Sequence, residues 1–479
     1  MTQKIAIIGM GVAGGAVLAS YHKFYPKEKL EIDCYDDPIH FGKGIPFRPD
    51  SSLALNNSRS DAISFDYQDM DDFVSWLKDQ DIPFQEYMPR WTYGDYMLDR
   101  IQELSHDLKA KAIYQRVTDI TWLDQTQQWQ LVDQSGQSQD YDQVHLCCGD
   151  LPAHDFYHLL GQNHYIHNPY PLQAIPMTEM PDQTLTVIGT GLAAIDVLKY
   201  CLTHSPQSLI QVFSLNNYFP TIRGRDQVDL DYKFLTENNL DHAMANNQGH
   251  LSFNDLDQWI QADFEQVGVT WPVFKSEWLL PGKAGLDLSM GHPKIFGRAQ
   301  ALFLHLSNLL STRLATMTVS DYQAFKDHYM DALINLRNPM PKDSALILLR
   351  AFEEGRLKTL NGIDSVQAEN QTFHLLNEDH TLIASSDWVI NATGYGLNDQ
   401  NLNQASSIFK SLINKGYVQF ADLGGLAIDL DTGQTISPKL GPISHLLIHG
   451  TLINGQVFQN NSTIKIQAWA DKLIKNKAL

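Results

Sequence analysis

The sequence predicts an α/β fold built on two Rossmann-like units, each a strand, a glycine turn and a helix, with a mainly helical insertion. Three observations predict it. The apolar run Ile5-Ala6-Ile7-Ile8 leads directly into Gly9-Met10-Gly11-Val12-Ala13-Gly14. The run Leu185-Thr186-Val187-Ile188 leads in the same way into Gly189-Thr190-Gly191-Leu192-Ala193-Ala194. Between residues 226 and 345 such turns stop, and apolar residues recur at helical spacing. In each turn the first glycine makes the bend and the second lets the backbone approach a pyrophosphate. The third position, Gly14 or Ala194, lets helix and strand pack closely. The anion then rests on the helix N-terminus, where unpaired N–H groups and the helix dipole favour it. Two such turns in one chain predict two nucleotides, a flavin dinucleotide and a nicotinamide dinucleotide.

The elements follow in order. Ala16-Val17-Leu18-Ala19 continues the first helix, and Leu30–Tyr35 is the next strand. Asp36, at its end, lies 22 positions after Gly14, where an acid accepts hydrogen bonds from an adenosine ribose. Residues 38–60 are irregular and rich in Gly, Pro, Asn and Ser, as in a functional loop. Within it, Asn56, Asn57 and Ser58 suit either contacts to a flavin ring or an Asn-rich turn; Asn57 is placed with the cofactor contacts. Arg90 suits a pyrophosphate or a surface ion pair equally. Asp69–Lys78 is helical with Phe73, Trp76 and Leu77 on one face, and residues 112–149 alternate as a small antiparallel meander.

The second unit spans residues 181–214 and ends in the strand Ile210–Ser214. Asp196, on its helix, is expected to be a solvated or polar-contact residue. In the insertion Phe253–Val267, Ala299–Ala315 and Asp321–Leu336 read as amphipathic helices. Strands resume over 358–390 and end in Asn391-Ala392-Thr393-Gly394, and a last helix covers Thr463–Ile474.

Composition sets the bounds. A chain of 479 residues, 43% hydrophobic, requires two or three lobes. A net charge of −20 argues against nucleic-acid binding and an acidic membrane surface. No apolar run approaches the roughly 20 residues that span a bilayer, so the expectation is a soluble, cytoplasmic protein. The four cysteines, Cys34, Cys147, Cys148 and Cys201, contain no Cys-x-x-Cys pair. Adjacent strand residues point to opposite faces, so Cys147 and Cys148 do not suit a redox disulfide. The pairs His154/His158 and His164/His167 lie among loop residues, and no metal site is expected. His449, on a late apolar strand, suits a packed core position better than one facing a flavin.

On Gly9, Gly11, Gly14, Asp36, Gly189, Gly191, Ala194 and Ala392-Thr393-Gly394, the chain resembles the two-dinucleotide-binding flavoproteins. More narrowly it is similar to the bacterial FAD-NAD(P)-binding family related to N-hydroxylating and flavin-containing monooxygenases. That resemblance rests on Phe41-Gly42-Lys43-Gly44-Ile45-Pro46-Phe47-Arg48, Leu55-Asn56-Asn57, Phe73-Val74-Ser75-Trp76-Leu77, Arg90-Trp91-Thr92-Tyr93-Gly94-Asp95-Tyr96 and Asn391-Ala392-Thr393-Gly394-Tyr395-Gly396. It implies a split FAD domain with an inserted NAD(P) domain. The expected parts are residues 1–178 (FAD), 179–225 (NAD(P)), 226–345 (helical insertion), 346–385 (NAD(P)) and 386–479 (FAD). It also implies that the Ala-Thr-Gly strand, with Thr393 and Gly394, runs back beneath the FAD. Cys147-Cys148-Gly149 stands where the family usually has a second Ala-Thr-Gly.

After the strand ending at Ser214 there is no carboxylate to hold a 2′-hydroxyl, and Arg223 and Arg225 follow, which favours NADPH over NADH. Leu215 stands where such monooxygenases often carry arginine. With no redox cysteine pair and no catalytic side chain evident, chemistry falls to the flavin. The expected function is oxygenation of a small soft nucleophile with NADPH and O2, through a flavin hydroperoxide. The alternatives are a flavin reductase or dehydrogenase, and a nucleotide-binding sensor without turnover.

Overall fold

The computed structural model describes residues 2–180, 182–224 and 230–475. The chain forms two compact units, residues 1–152 with 396–479, and residues 153–395. The first begins with β1 (Gln3–Ile8), α1 (Val12–Phe24) and β2 (Leu30–Tyr35). The irregular stretch then leads to α2 (Asp72–Asp79), α3 (Arg90–Leu108) and β3 (Lys111–Ile113). Phe73, Trp76 and Leu77 are the buried face of α2, as their spacing predicts. The meander is β4 (Val117–Leu123), β5 (Gln128–Asp133) and β6 (Ser138–Tyr141), all antiparallel. Burial alternates along β5, with Trp129 and Leu131 inward. Next comes β7 (Gln143–Leu146), buried throughout.

The second unit contains β8 (Tyr165–Ile166), β9 (Thr184–Ile188), α4 (Leu192–His204) and β10 (Leu209–Phe213). The helical insertion supplies α5 (Glu237–Asn246), α6 (Phe253–Phe264), α7 (Gly282–Gly291) and α8 (Pro293–Leu309). Helices α9 (Val319–Phe325) and α10 (Asp331–Arg337) are joined by one π turn, and α11 (Lys342–Glu353) follows. Phe264, Phe274, Phe296 and Phe303 form its aromatic core, each under 2% exposed. The unit closes with β11 (Leu357–Thr359), an antiparallel trio of β12 (Ser365–Glu369), β13 (Thr372–Leu376) and β14 (Leu382–Ser386), and β15 (Trp388–Asn391). Its main sheet runs β11-β10-β9-β15-β8, every pair parallel.

This sheet corrects one expectation. The strand ending in Ala392-Thr393-Gly394 does not run with the first glycine-turn strand; β15 pairs with β9, Ile188 opposite Asn391. Thr393 and Gly394 therefore border the second glycine turn. With β8 also in this sheet, the units divide at 152/153 and 395/396, where the expected parts divide at 178/179 and 385/386.

The returning chain adds α12 (Ser407–Asn414), the hairpin β16 (Thr435–Ser437) and β17 (Gly441–Ile443), β18 (Leu446–Ile448) and α13 (Thr463–Lys475). The first unit's sheet is then β18-β7-β1-β2-β3, all parallel. One face packs Ile5 and Ile7 against α1, α3 and α13, and the other packs Ala6, Ile8, Val144 and Leu146 against Trp129, Leu131 and Tyr141 of the meander. Ile466, Ala470 and Ile474 of α13 join Val17 and Tyr21 of α1 in one core. A buried polar chain crosses this core: Tyr21 Oη meets His145 Nε2 at 2.8 Å, and His145 Nδ1 meets His449 Nε2 at 2.9 Å. His449 is thus the packed core residue. No described helix is long and apolar enough to cross a membrane.

Candidate functional site

Both glycine turns form as their sequences predict, but they differ in what surrounds them. At the first, Gly9 has φ +94°, and a Cβ there would stand 2.7 Å from the Cys148 backbone. A Cβ on Gly14 would stand 2.1 Å from Gly9 O, so this position admits glycine alone. Gly11 begins α1 as its N-cap with no capping side chain, which leaves the first N–H groups for an outside acceptor. A Cβ on Gly11 would lie 3.1 Å from Gly44 Cα. The Gly42–Gly44 loop thus lies against the turn, tied by Gly42 N–H to Met10 O at 2.8 Å. The sequence marks this loop as functional without placing it against the turn, and the positive φ of glycines 42 and 44 accompanies the close approach.

Asp36 ends β2 beside the turn. Its carboxylate accepts the Met10 N–H at 2.7 Å and the Asp37 N–H at 2.9 Å. Burial raises its pKa against those bonds. A carboxylate has about four acceptor positions, so two remain for hydroxyl donors. In the adjoining loop Asn57 is half-buried, while its neighbour Asn56 is 3% exposed with an amide nitrogen that meets no acceptor among the described residues. Such a donor is costly unless a ligand or water satisfies it. Arg90 turns inward, its Nε donating to Leu55 O at 3.1 Å. Asp36, Asp37 and His40 converge closely enough for a metal, but Arg116 already meets Asp37 at 2.6 Å and Asp150 at 2.8 Å.

At the second turn, Gly189 has φ +111°, and a Cβ there would stand 2.7 Å from Ala392 O. Gly191 is the uncapped N-cap of α4, and among the described residues nothing lies within 4 Å of where its Cβ would be. Here the third position is a fully buried Ala194. Thr393 Oγ1 donates to Asn391 Oδ1 at 2.8 Å, and Gly394 has φ +92°. Beyond β10, the Ser214 N–H donates to Asn217 Oδ1 at 2.7 Å and Asn217 Nδ2 to Leu360 O at 2.7 Å, closing a tight loop. Leu215 projects fully into solvent from this loop. Arg223 turns to Pro339 O at 3.4 Å, and Arg225 lies outside the described residues. Asp196 is not solvated: it is 4% exposed and accepts from Tyr170 Oη at 2.9 Å, with Lys199 Nζ at 3.5 Å.

All four cysteines are unpaired thiols. Burial pushes Cys34 and Cys201 up to about 12, and Cys147 and Cys148 well above their ordinary range. None is a ready thiolate at neutral pH.

Residues 6–151 match the sequence model of the FAD-NAD(P)-binding family. No curated protein matches the chain. Among solved structures, the ornithine N-hydroxylase of Kutzneria sp. 744 has a TM-score of 0.57 at 12% identity, over 99% of this chain and 98% of that one. L-lysine 6-monooxygenase from Pseudomonas syringae has a TM-score of 0.57 at 14% identity, over the same 99% and 98%. The bacillithiol disulfide reductase of Bacillus cereus has a TM-score of 0.51 at 12% identity, again over 99% and 98%. The chain thus shares the fold of these proteins along its whole length, and its residues 6–151 are similar to the FAD-NAD(P)-binding family.

Proposed function

We propose that the protein is an FAD-dependent, NAD(P)H-using oxidoreductase, a monooxygenase acting with O2 on a small soft nucleophile such as an amine or thioether. One observation carries this reading: two all-parallel sheets in one chain each end a strand in a glycine turn, with an uncapped glycine N-cap opening the next helix. Each turn fits a pyrophosphate. Gly9, Gly11, Gly14, Asp36 and Asn57 would hold FAD, with Asn56 as a further donor. Gly189, Gly191 and Ala194, bordered by Thr393 and Gly394, would hold the nicotinamide dinucleotide, NADPH by preference. On this reading residues 1–152 with 396–479 are the FAD domain, and residues 153–395 are the NAD(P) domain with its helical insertion.

When bound, FAD supplies acceptance of a hydride and its onward delivery as two electrons. The chain's own groups bind and orient. Asp36 offers its remaining lone pairs to ribose hydroxyls, and the α1 and α4 N-termini neutralise pyrophosphate charge. The high thiol pKa values favour this over disulfide reduction. Four reduced cysteines also suit the cytoplasm.

The test is direct. Purified protein should be yellow and release FAD on denaturation. NADPH oxidation should accelerate with a true substrate, and oxygen from 18O2 should appear in the product. Turnover that yields only peroxide across a broad amine and sulfide panel would favour the reductase alternative. Bound FAD that neither NADPH nor NADH reduces would favour the sensor.

A further inference from the structure

Arg337 ends α10 inside the helical insertion. Its Nε is buried and meets no acceptor among the described residues, and its one hydrogen bond there runs from Nη1 to Asn338 Oδ1 at 3.2 Å. No described carboxylate pairs with it, although the chain carries 55 acidic residues against 35 basic ones. Burial pushes the guanidinium down to about 10, and no anion among the described residues offsets it. The side chain is nevertheless not sealed, for the residue keeps part of its surface open.

The backbone on either side of it is hydrogen-bonded to a neighbouring segment. Thr221 N–H donates to Asn335 O at 3.1 Å, Met340 N–H to Thr221 O at 2.8 Å, and Arg223 N–H to Met340 O at 3.0 Å. These bonds bracket Arg337 on a fixed ledge, and the Arg223 guanidinium reaches the same ledge at Pro339 O. A partly buried cation without a counter-charge is unfavourable unless something else compensates it. A planar guanidinium with free N–H groups matches an oxyanion in bidentate geometry.

We propose that Arg337 anchors an oxyanion-binding site in the helical insertion, which takes a phosphate or carboxylate group. The oxyanion belongs either to the 2′-phosphate of a nicotinamide dinucleotide or to the acid group of a separate small molecule. The site stands whether or not the protein is an oxidoreductase.

The experiment is thermal melting and calorimetric titration of the full chain with inorganic phosphate, acetate, NADP+ and NAD+, at ionic strength fixed with KCl. At least one of phosphate, acetate and NADP+ should bind the wild type and raise its Tm above the chloride control. Arg337→Met should weaken that binding by about tenfold or more, while its ligand-free Tm stays equal or rises. Arg337→Lys keeps the charge without the fork and should weaken binding about tenfold. Loss of NADP+ affinity with NAD+ unchanged assigns the 2′-phosphate. Loss of the phosphate or acetate response with both dinucleotides unchanged assigns a separate acid. A wild type indifferent to all four ligands overturns the proposal, as do equal losses for NADP+ and NAD+. Variants that respond like the wild type also overturn it. Should Arg337→Met fail to fold, the wild type and Arg337→Lys decide between these outcomes.

Discussion

Gly191→Val separates the second glycine turn's binding role from its folding role. Gly191 sits at φ −74° and ψ −172°, an extended conformation open to any residue. Among the described residues nothing lies within 4 Å of its missing Cβ, so the new side chain enters open space. The fold loses only a preferred N-cap, about 0.5–1 kcal/mol, partly offset by a stiffer unfolded chain. Tm should therefore fall by no more than about 4 °C. A pyrophosphate, by contrast, would lose its approach to the α4 N-terminus. Two charge-assisted hydrogen bonds at about 1.5 kcal/mol each make about 3 kcal/mol, or roughly a hundredfold in affinity. Anaerobic stopped-flow reduction by NADPH is the assay, with dithionite as control. The variant should stay yellow, be reduced by dithionite, and respond to NADPH only at far higher concentration. Reduction by NADPH at the wild-type rate would show the turn to be a packing device and end the two-nucleotide reading.

The first turn should behave differently. Gly14→Ala puts a methyl group 2.1 Å from Gly9 O. It should cost about 1–3 kcal/mol of stability and FAD occupancy together, read by melting and by flavin content; a stable, fully loaded variant refutes the packing argument. Asp36→Asn keeps an oxygen for the Met10 N–H but removes the charge. FAD should bind roughly tenfold more weakly in a titration of deflavinated protein, and unchanged affinity would remove Asp36 from the ribose contacts. Asp37 gives a pH signature. Burial opposes its ionisation, yet bonds from His40 and Arg116 hold it down to about 2. Its folded pKa is below its unfolded value, so its stabilisation is present above the ordinary carboxylate range and is lost as pH falls toward about 2. Asp37→Asn should flatten the acid limb of a Tm-versus-pH curve, and an unchanged limb would refute it.

Local grammar made both turns legible. A buried parallel strand, a glycine bend and a helix are specified within a dozen residues, so β1–α1 and β9–α4 could be read directly. Sheet membership was not local. Whether Ala392-Thr393-Gly394 joins the first sheet or the second depends on which strand edge is open, and β9 offered its edge to β15. Asp196 takes the polar-contact alternative of its expectation, and the sequence did not name the partner because Tyr170 lies 26 positions away. Asn56 and Asn57 are neighbours of one type, and only burial distinguishes the one with an unmet donor. The Arg337 environment depends on which acids come near it, a fact that no spacing encodes.

The chain from Tyr21 through His145 to His449 has a consequence for where its protons reside. Each nitrogen–nitrogen or oxygen–nitrogen contact needs one hydrogen and one lone pair. If Tyr21 donates to His145 Nε2, a neutral His145 must carry its hydrogen on Nδ1 and donate to His449 Nε2. In the opposite sense, His449 donates to His145, and His145 donates to the tyrosine oxygen. The tautomers of the two imidazoles are therefore correlated, and neither ring exchanges its hydrogen position alone. A change in the charge facing His449, just past the end of β18, would be transmitted as a reversal of the whole row, delivered to a phenol in the last turn of α1.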